Sequence, residues 1–253
     1  MKTMRGADAL LSAAVLASLL GAWWAVSHRA WVSPVFLPTP EATVQALAEG
    51  LLHGDLWAFT LATAGRMAAG WGLAALAGML LGAWIGSSAA ARTWLQPTLE
   101  FLRPLPASAV VPPAVAVFGL SSGMLLFVVA FGAMWPVLLA TVQGFASLHP
   151  RLNEVADALQ MPRRDRILKL GLPHALPDIL AGLRLSLTVS LIVSVVGEMI
   201  ASQDGLGQAI LLAARSFRAS ELFAGVLLLG AIGFGSNTLL ARAEARWLRW
   251  QNP

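Results

Sequence analysis

The chain is expected to fold as an all-α integral membrane protein with six transmembrane helices. Three observations predict this. Only 12% of its 253 residues are charged while 57% are apolar, about half the charge of an ordinary soluble domain. The apolar residues gather in uncharged runs, and a helix needs about 20 such residues to cross a bilayer. The basic residues between the runs fall almost wholly on alternate connections, the pattern that sets membrane orientation.

The elements follow in order. Ala9 to His28 is uncharged and one span long. It follows Lys2 and Arg5, as a signal peptide would, but it is too long for a signal core and no small-x-small cleavage pattern follows. It is therefore read as a retained helix. Residues 38–52 read as a short amphipathic helix outside the membrane, with Thr39 as N-cap and Pro40 at the first helical position. Its apolar face would lie on the membrane or the bundle. Met67 to Ala91 forms the second span, beginning near Phe59, which places Arg66 inside the outer part of the membrane. Pro104 to Pro150 carries no charge. That length suits two spans broken at Gly119–Gly123, where glycine and serine favour a turn. The fifth span runs from about Arg184 to Ala201 and contains Glu198. The sixth runs from about Leu222 to Ala241. The tryptophans Trp23, Trp24, Trp31, Trp57, Trp247 and Trp250 stand near span ends, as an interfacial belt requires.

Six spans put both termini on one side. Lys2, Arg5, Arg92, Arg103, Arg151, Arg163, Arg164, Arg166, Lys169, Arg184, Arg242, Arg246 and Arg249 share that side, thirteen in all, against Arg29, Arg215 and Arg218 on the other. Both ends and the loop 147–183 are thus expected in the cytoplasm. The net charge of +4 is accounted for by these stretches and needs no nucleic acid. There is no cysteine, which excludes disulfides and thiolate metal sites. The four histidines are scattered and form no ligand-spaced pair.

Residues 147–183 are the one long hydrophilic stretch on the cytoplasmic side. Asn153 can cap a helix beginning at Glu154, whose carboxylate suits the positive helix end. Val155, Ala158 and Leu159 then share a face. Pro162 ends that helix, and a second begins at Arg163 with Ile167, Leu168 and Leu170 on one side. Two short helices at the membrane surface result. An ordinary solvated loop would have the same composition but not the same order of residues.

That order resembles the EAA loop of bacterial ABC importer permeases: Glu-x-Ala, a glycine six residues after the Glu, then an aliphatic residue, one position, and Leu-Pro. Glu154, Ala156, Leu170, Leu172 and Pro173 fall in register. Gln160 stands where the family has glycine, and a side chain there restricts the left-handed turn that glycine permits. The resemblance covers nearly the whole chain. Leu37 to Thr43 outside, Arg66 entering span two, Leu102 to Pro106, Phe118-Gly119, and the stretch Gly197 to Gly207 are similar to the subfamily importing nitrate, taurine and aliphatic sulfonates.

The resemblance implies a type I importer permease fold, with residues 1–58 as an N-terminal helix plus periplasmic amphipathic helix and 59–253 as permease core. It implies a multi-pass protein of the bacterial inner membrane, a small solute such as a sulfonate, taurine or nitrate-like anion as substrate, a second permease copy, two ATPase subunits carrying ATP-Mg, and a periplasmic binding protein. The chain has no phosphate loop, no cofactor of its own is expected, and it is not expected to be an enzyme. Glu154, Val155, Ala156, Asp157, Ala158, Leu159, Gln160, Leu170, Leu172 and Pro173 would couple to the ATPase. Glu154 would supply a charged contact, and Ala156 and Ala158 would permit close helix approach.

Glu198, Met199 and Trp135 are candidates for the solute pathway. An acid within a span is by default a functional candidate. The nearby Ser202, Gln203 and Asp204 favour instead a carboxylate hydrated or capped at the outer interface. Pro104, Pro106, Pro112 and Pro113 free backbone carbonyls in span three, tolerable where protein or a water-filled cavity covers them, so that span is a candidate pathway wall. A secondary transporter or channel without ATP would explain the spans but not the ordered loop. A membrane-embedded enzyme would need paired carboxylates, a metal motif or an activated serine, and none is evident.

Overall fold

The computed structural model describes residues 4–102 and 104–248, and of residues 4–9 and Gln96 the backbone alone. Lys2, Arg103, Arg249 and Trp250, named above, lie outside the described residues. Among the described residues every regular element is a helix: α1 Met4–His28, α2 Pro40–Leu52, α3 Leu56–Gly86, α4 Ala89–Leu102, α5 Ala107–Phe118, α6 Ser122–Ala146, α7 Pro150–Ala158, the single turn α8 Arg163–Asp165, a π-helical segment Arg166–Gly171, α9 Leu172–Ala201, α10 Leu206–Arg215 and α11 Ala219–Trp247.

Five helical runs are long and apolar enough to cross a membrane: α1, α3, α6, the run Arg163–Ala201 and α11. The third predicted span is shorter than expected. Its apolar helix α5 has 12 residues and rises about 18 Å, against a hydrocarbon core of about 30 Å. Pro106 in extended conformation starts it and Gly119, at φ 67, stops it. Ahead of it lies α4, an amphipathic helix carrying Arg92 and Glu100 that the sequence reading treated as loop.

The packing of α3 on α6 shows why the chain still crosses there. A Cβ on Gly70, Gly78, Gly82 or Gly86 would meet the side chain of Val129, Val137, Thr141 or Phe145 at 2.4–2.9 Å. Each partner is 59 positions further on, so the numbers rise together and the two helices run parallel. Two parallel helices need a return between them. The connection 87–121, through α4 and α5, must therefore carry the chain back along α3.

Glycine is required at this seam because the backbones touch, with Gly78 facing the Met134 carbonyl and Gly82 the Leu138 carbonyl. Without a hydrophobic drive between helices in lipid, small residues that allow such approach hold the bundle together. Helix α9 closes the core in the opposite direction. Gly144 of α6 faces Ala175, and Gly182 of α9 faces Ala140 and Pro136, so here one number falls as the other rises. Trp71 of α3 donates its indole N–H to the Leu183 carbonyl at 3.1 Å. Val137, Phe145, Ile179, Leu180 and Leu187 fill the space between the three helices.

The outer elements are less enclosed. Helix α2 has the predicted cap: Thr39 Oγ1 accepts from the Ala42 N–H at 3.2 Å, with Pro40 next. It packs against α11 and α3, so its apolar face lies on the bundle. Helix α1 meets the rest near its end, where Trp23 stacks on Phe223 and donates to the Pro38 carbonyl. Most of its side chains are exposed. Helix α10 was not expected from the sequence. It buries Leu206, Ile210 and Ala213 against α9 and α11.

Candidate functional site

The loop singled out in the sequence forms an elbow at one end of the bundle. Its first arm, α7, begins at Pro150 with His149 as N-cap, not at Glu154 with Asn153. Pro150 has its φ preset for the first helical turn and needs no partner for an N–H, so helix starts as soon as the proline permits. The His149 ring nitrogen Nδ1 accepts from the Arg151 N–H at 3.2 Å.

The turn that follows resolves the Gln160 question. Gln160 has φ 48, the left-handed conformation a glycine would adopt. The Gln160 N–H donates to the Asp157 carbonyl at 3.0 Å and the Met161 N–H to the Ala156 carbonyl at 2.9 Å. These two bonds make a Schellman cap and meet the last carbonyls of α7. The glutamine takes the shape at the usual cost of a Cβ in that region, about 1–2 kcal/mol.

The second arm is not a separate short helix, as expected, but the opening of α9. From Arg163 the chain runs without a break through the π-helical segment into α9 and on to Ala201. Leu170 and Leu172–Pro173 thus sit at the foot of a membrane helix. An ion pair from Arg166 to Asp157 ties the two arms, and Ser147 Oγ lies 3.2 Å from His174 Nε2.

Of the predicted coupling residues, Glu154, Val155, Asp157, Ala158, Leu159 and Gln160 are exposed. Leu172 and Pro173 are also exposed, and Leu170 is half-buried. Leu152, Val155 and Leu159 form an outward apolar stripe at 40%, 52% and 68% exposure. Ala156 is the exception. It is fully buried, so its small size serves packing within this chain.

At the opposite end of the bundle, the two charges noted within spans meet. Glu198 of α9 is fully buried. Its Oε1 accepts from Arg66 Nη1 of α3. Its Oε2 accepts from Thr63 Oγ1 at 3.0 Å and from the Gly207 N–H at 2.8 Å. Thr63 in turn accepts from the Leu206 N–H at 2.9 Å, and Arg66 Nη2 donates to the Asp204 carbonyl at 3.2 Å. A Cβ on Gly205 would lie 2.4 Å from the Glu198 carboxyl carbon, so glycine is needed for that approach. The carboxylate is thus enclosed by this chain's own groups. It fastens α3, α9 and the start of α10. Trp135 is also buried, with its ring edge-on to Phe131, and Met199 is half-buried. A small groove of about 200 Å³ lies elsewhere, between α5, α6 and α9, lined by Ser108, Val111, Val128, Val193 and Val196.

Pairing of Arg66 with Glu198, 132 residues apart, was missed. The signal available was that both are charges inside otherwise uncharged runs, and of opposite sign. Among the described residues no group of His, Asp or Glu is arranged to hold a metal ion.

Comparison with known proteins supplies the frame for these features. Residues 74–248 match the family described as binding-protein-dependent transport system inner membrane component. The chain is 32% identical over 236 residues to the putative aliphatic sulfonates transport permease protein SsuC of Bacillus subtilis, covering 93% of this chain and 86% of that protein. It is 30% identical over 245 residues to the taurine transport system permease protein TauC of Escherichia coli, covering 95% and 89%. It is 32% identical over 224 residues to the bicarbonate transport system permease protein CmpB of Synechococcus elongatus, covering 86% and 79%. The chain belongs to the binding-protein-dependent transport system inner membrane components, the multi-pass permease subunits of ABC importers, and its helical bundle is the type I permease fold.

Proposed function

We propose that this permease carries a small oxyanion, received from a binding protein, across the membrane in step with ATP hydrolysis on partner subunits. The names of the relatives support the substrate class: aliphatic sulfonates, taurine and bicarbonate each carry a compact anionic group. The observation that carries the coupling role is the outward face of α7. Leu152, Val155 and Leu159 present apolar surface to water beside exposed Glu154. Such a stripe on a short helix fits a groove on a partner.

In this reading the elbow end faces the cytoplasm, both termini lie there, and two copies of the chain stand side by side with one ATPase under each elbow. ATP-driven closure of the ATPases brings the elbows together. The motion reaches the core because the second arm is continuous with α9, whose glycines lock it to α6. Access to the path then switches by rigid-body rotation. The path runs between the copies along the α5 face, where Val117 and Phe118 are exposed and prolines loosen the helix.

The test is reconstitution of the full chain with its ATPase and binding protein in vesicles. ATP-dependent uptake of a sulfonate, taurine, bicarbonate or nitrate is expected in the wild type. Glu154→Arg should remain folded in the membrane and lose ATPase association. Solute uptake by the purified chain with no ATPase present would overturn the reading.

A further inference from the structure

A second polar feature at the elbow end is unused by the coupling role. A cleft of about 670 Å³ opens between the ends of α3 and α6, the start of α4 and the elbow's second arm. Three arginines line it: Arg92 of α4, Arg163 of α8 and Arg166 of the π-helical segment. One carboxylate, Asp157, is paired with Arg166. Arg92 donates to the Gly86 carbonyl. Among the described residues no carboxylate lies within ion-pair distance of Arg92 or Arg163.

The cleft thus gathers three guanidinium charges against one carboxylate. Its remaining polar wall, Ser87, Ser88 and Asn153, brings no further negative charge. Arg166 Nε is buried and donates to nothing among the described residues. Helix α4 begins at Ala89 on the cleft wall, and its positive end adds to the same field.

We propose that this cleft binds a phosphate-type oxyanion, held by Arg92 and Arg163, with the Arg166 guanidinium adding positive charge beside them. Two sources share that chemistry: the phosphodiester of an anionic lipid and free inorganic phosphate. The position is suited to the lipid. Trp84, 60% exposed, stands on the rim at the end of a transmembrane helix, the level at which tryptophan meets headgroups. Basic pockets between transmembrane helices take such headgroups.

The experiment uses the full chain in nanodiscs of phosphatidylcholine with or without phosphatidylglycerol, and native mass spectrometry after release to count retained anionic lipid. Wild type is expected to retain phosphatidylglycerol. Arg92→Gln with Arg163→Gln should weaken retention about fivefold for each charge removed. Arg151→Gln with Arg242→Gln, which removes two basic residues outside the cleft, should leave it unchanged. Inorganic phosphate is tested alone in phosphatidylcholine discs, by thermal shift. A shift lost in the cleft variant assigns the site to free phosphate, and lipid retention without it assigns the site to lipid. Equal lipid retention by wild type and cleft variant with no phosphate shift overturns the proposal, as does equal loss in the Arg151/Arg242 variant. Because Arg163 is exposed and has no ion-pair partner among the described residues, Arg163→Glu alone, which changes the charge by two, gives the same comparison and should weaken retention about as much as the double variant.

Discussion

Removing the Glu198 carboxylate should loosen the end of the bundle remote from the elbow. In Glu198→Ala, the Arg66 guanidinium, 11% exposed, loses its ion-pair partner. The Thr63 hydroxyl and the Gly207 N–H lose their shared acceptor. Breaking a buried pair by removing one partner costs about 3–5 kcal/mol, and an unsatisfied buried donor adds about 1–3 kcal/mol. Taking the low end of both gives about 4 kcal/mol. At about 2–4 °C per kcal/mol for a chain of this size, the unfolding midpoint should fall by roughly 8–16 °C. The assay is thermal unfolding in detergent followed by tryptophan fluorescence at fixed protein concentration. Replacing both partners, Arg66→Met with Glu198→Met, should recover most of the loss, because a buried pair and an apolar pair of similar volume are near balance. A drop below roughly 3 °C for Glu198→Ala, or a double variant no better than the single, would refute the reasoning.

Other outcomes follow from the same geometry. Gln160→Gly should relieve the left-handed strain and stabilise the elbow by about 0.5–1 kcal/mol, since glycine's greater freedom when unfolded offsets part of the gain; slower proteolysis within residues 159–163 measures it. Gly82→Val should drive the α3 and α6 backbones apart, because a Cβ there already meets Thr141 at 2.6 Å; a loss of more than about 3 kcal/mol should appear as poor recovery of folded protein from membranes. Val155→Asp should leave the melting midpoint unchanged, because the side chain is 52% exposed, while ATPase co-purification falls at least tenfold (about 1.4 kcal/mol). The Glu41 carboxyl is held below its ordinary value chiefly by its own backbone amide at the start of α2. A depressed carboxylate stabilises above its unfolded pKa and loses that contribution as pH falls through the folded value. Emission from Trp24, whose indole donates to Glu41, should therefore change only below the ordinary carboxylate range.

The membrane helices were legible because lipid demands long uncharged runs and the chain shows them directly. Helix α4 was not, because Arg92 and Glu100 break the apolar run and its amphipathic pattern is set by the interface rather than by crossing. Helix α10 is ten residues long, too short for a span, and it gains stability only from burial against α9 and α11. The apolar stripe on α7 was partly visible from spacing, through Val155 and Leu159 but not Leu152, and the inward turn of Ala156 depends on how α7 sits on its neighbours. The Arg66–Glu198 pair was half visible. Each charge stood out locally, but nothing local states that α3 and α9 lie antiparallel with those two positions level. The conformation of Gln160 ran against its own residue preference. The Schellman bonds and the following Pro162 impose the turn, and the side chain accepts it.

The unvarying offset between α3 and α6 also bears on how this chain can change length. Adding or deleting one residue between Gly70 and Gly86 would turn every later position by about 100°. Leu81 would then take the place of Gly82 after an insertion, or Met79 that of Gly78 after a deletion. In the return through 87–121, α5 is also held in phase, by Val111 and Ala114 buried against α6 and α9, whereas α4 has no buried residue among its described side chains and is under a weaker constraint. Insertions and deletions should thus be tolerated in α4 and rejected along the seam, a contrast that a scan of single-residue deletions scored by membrane expression would expose.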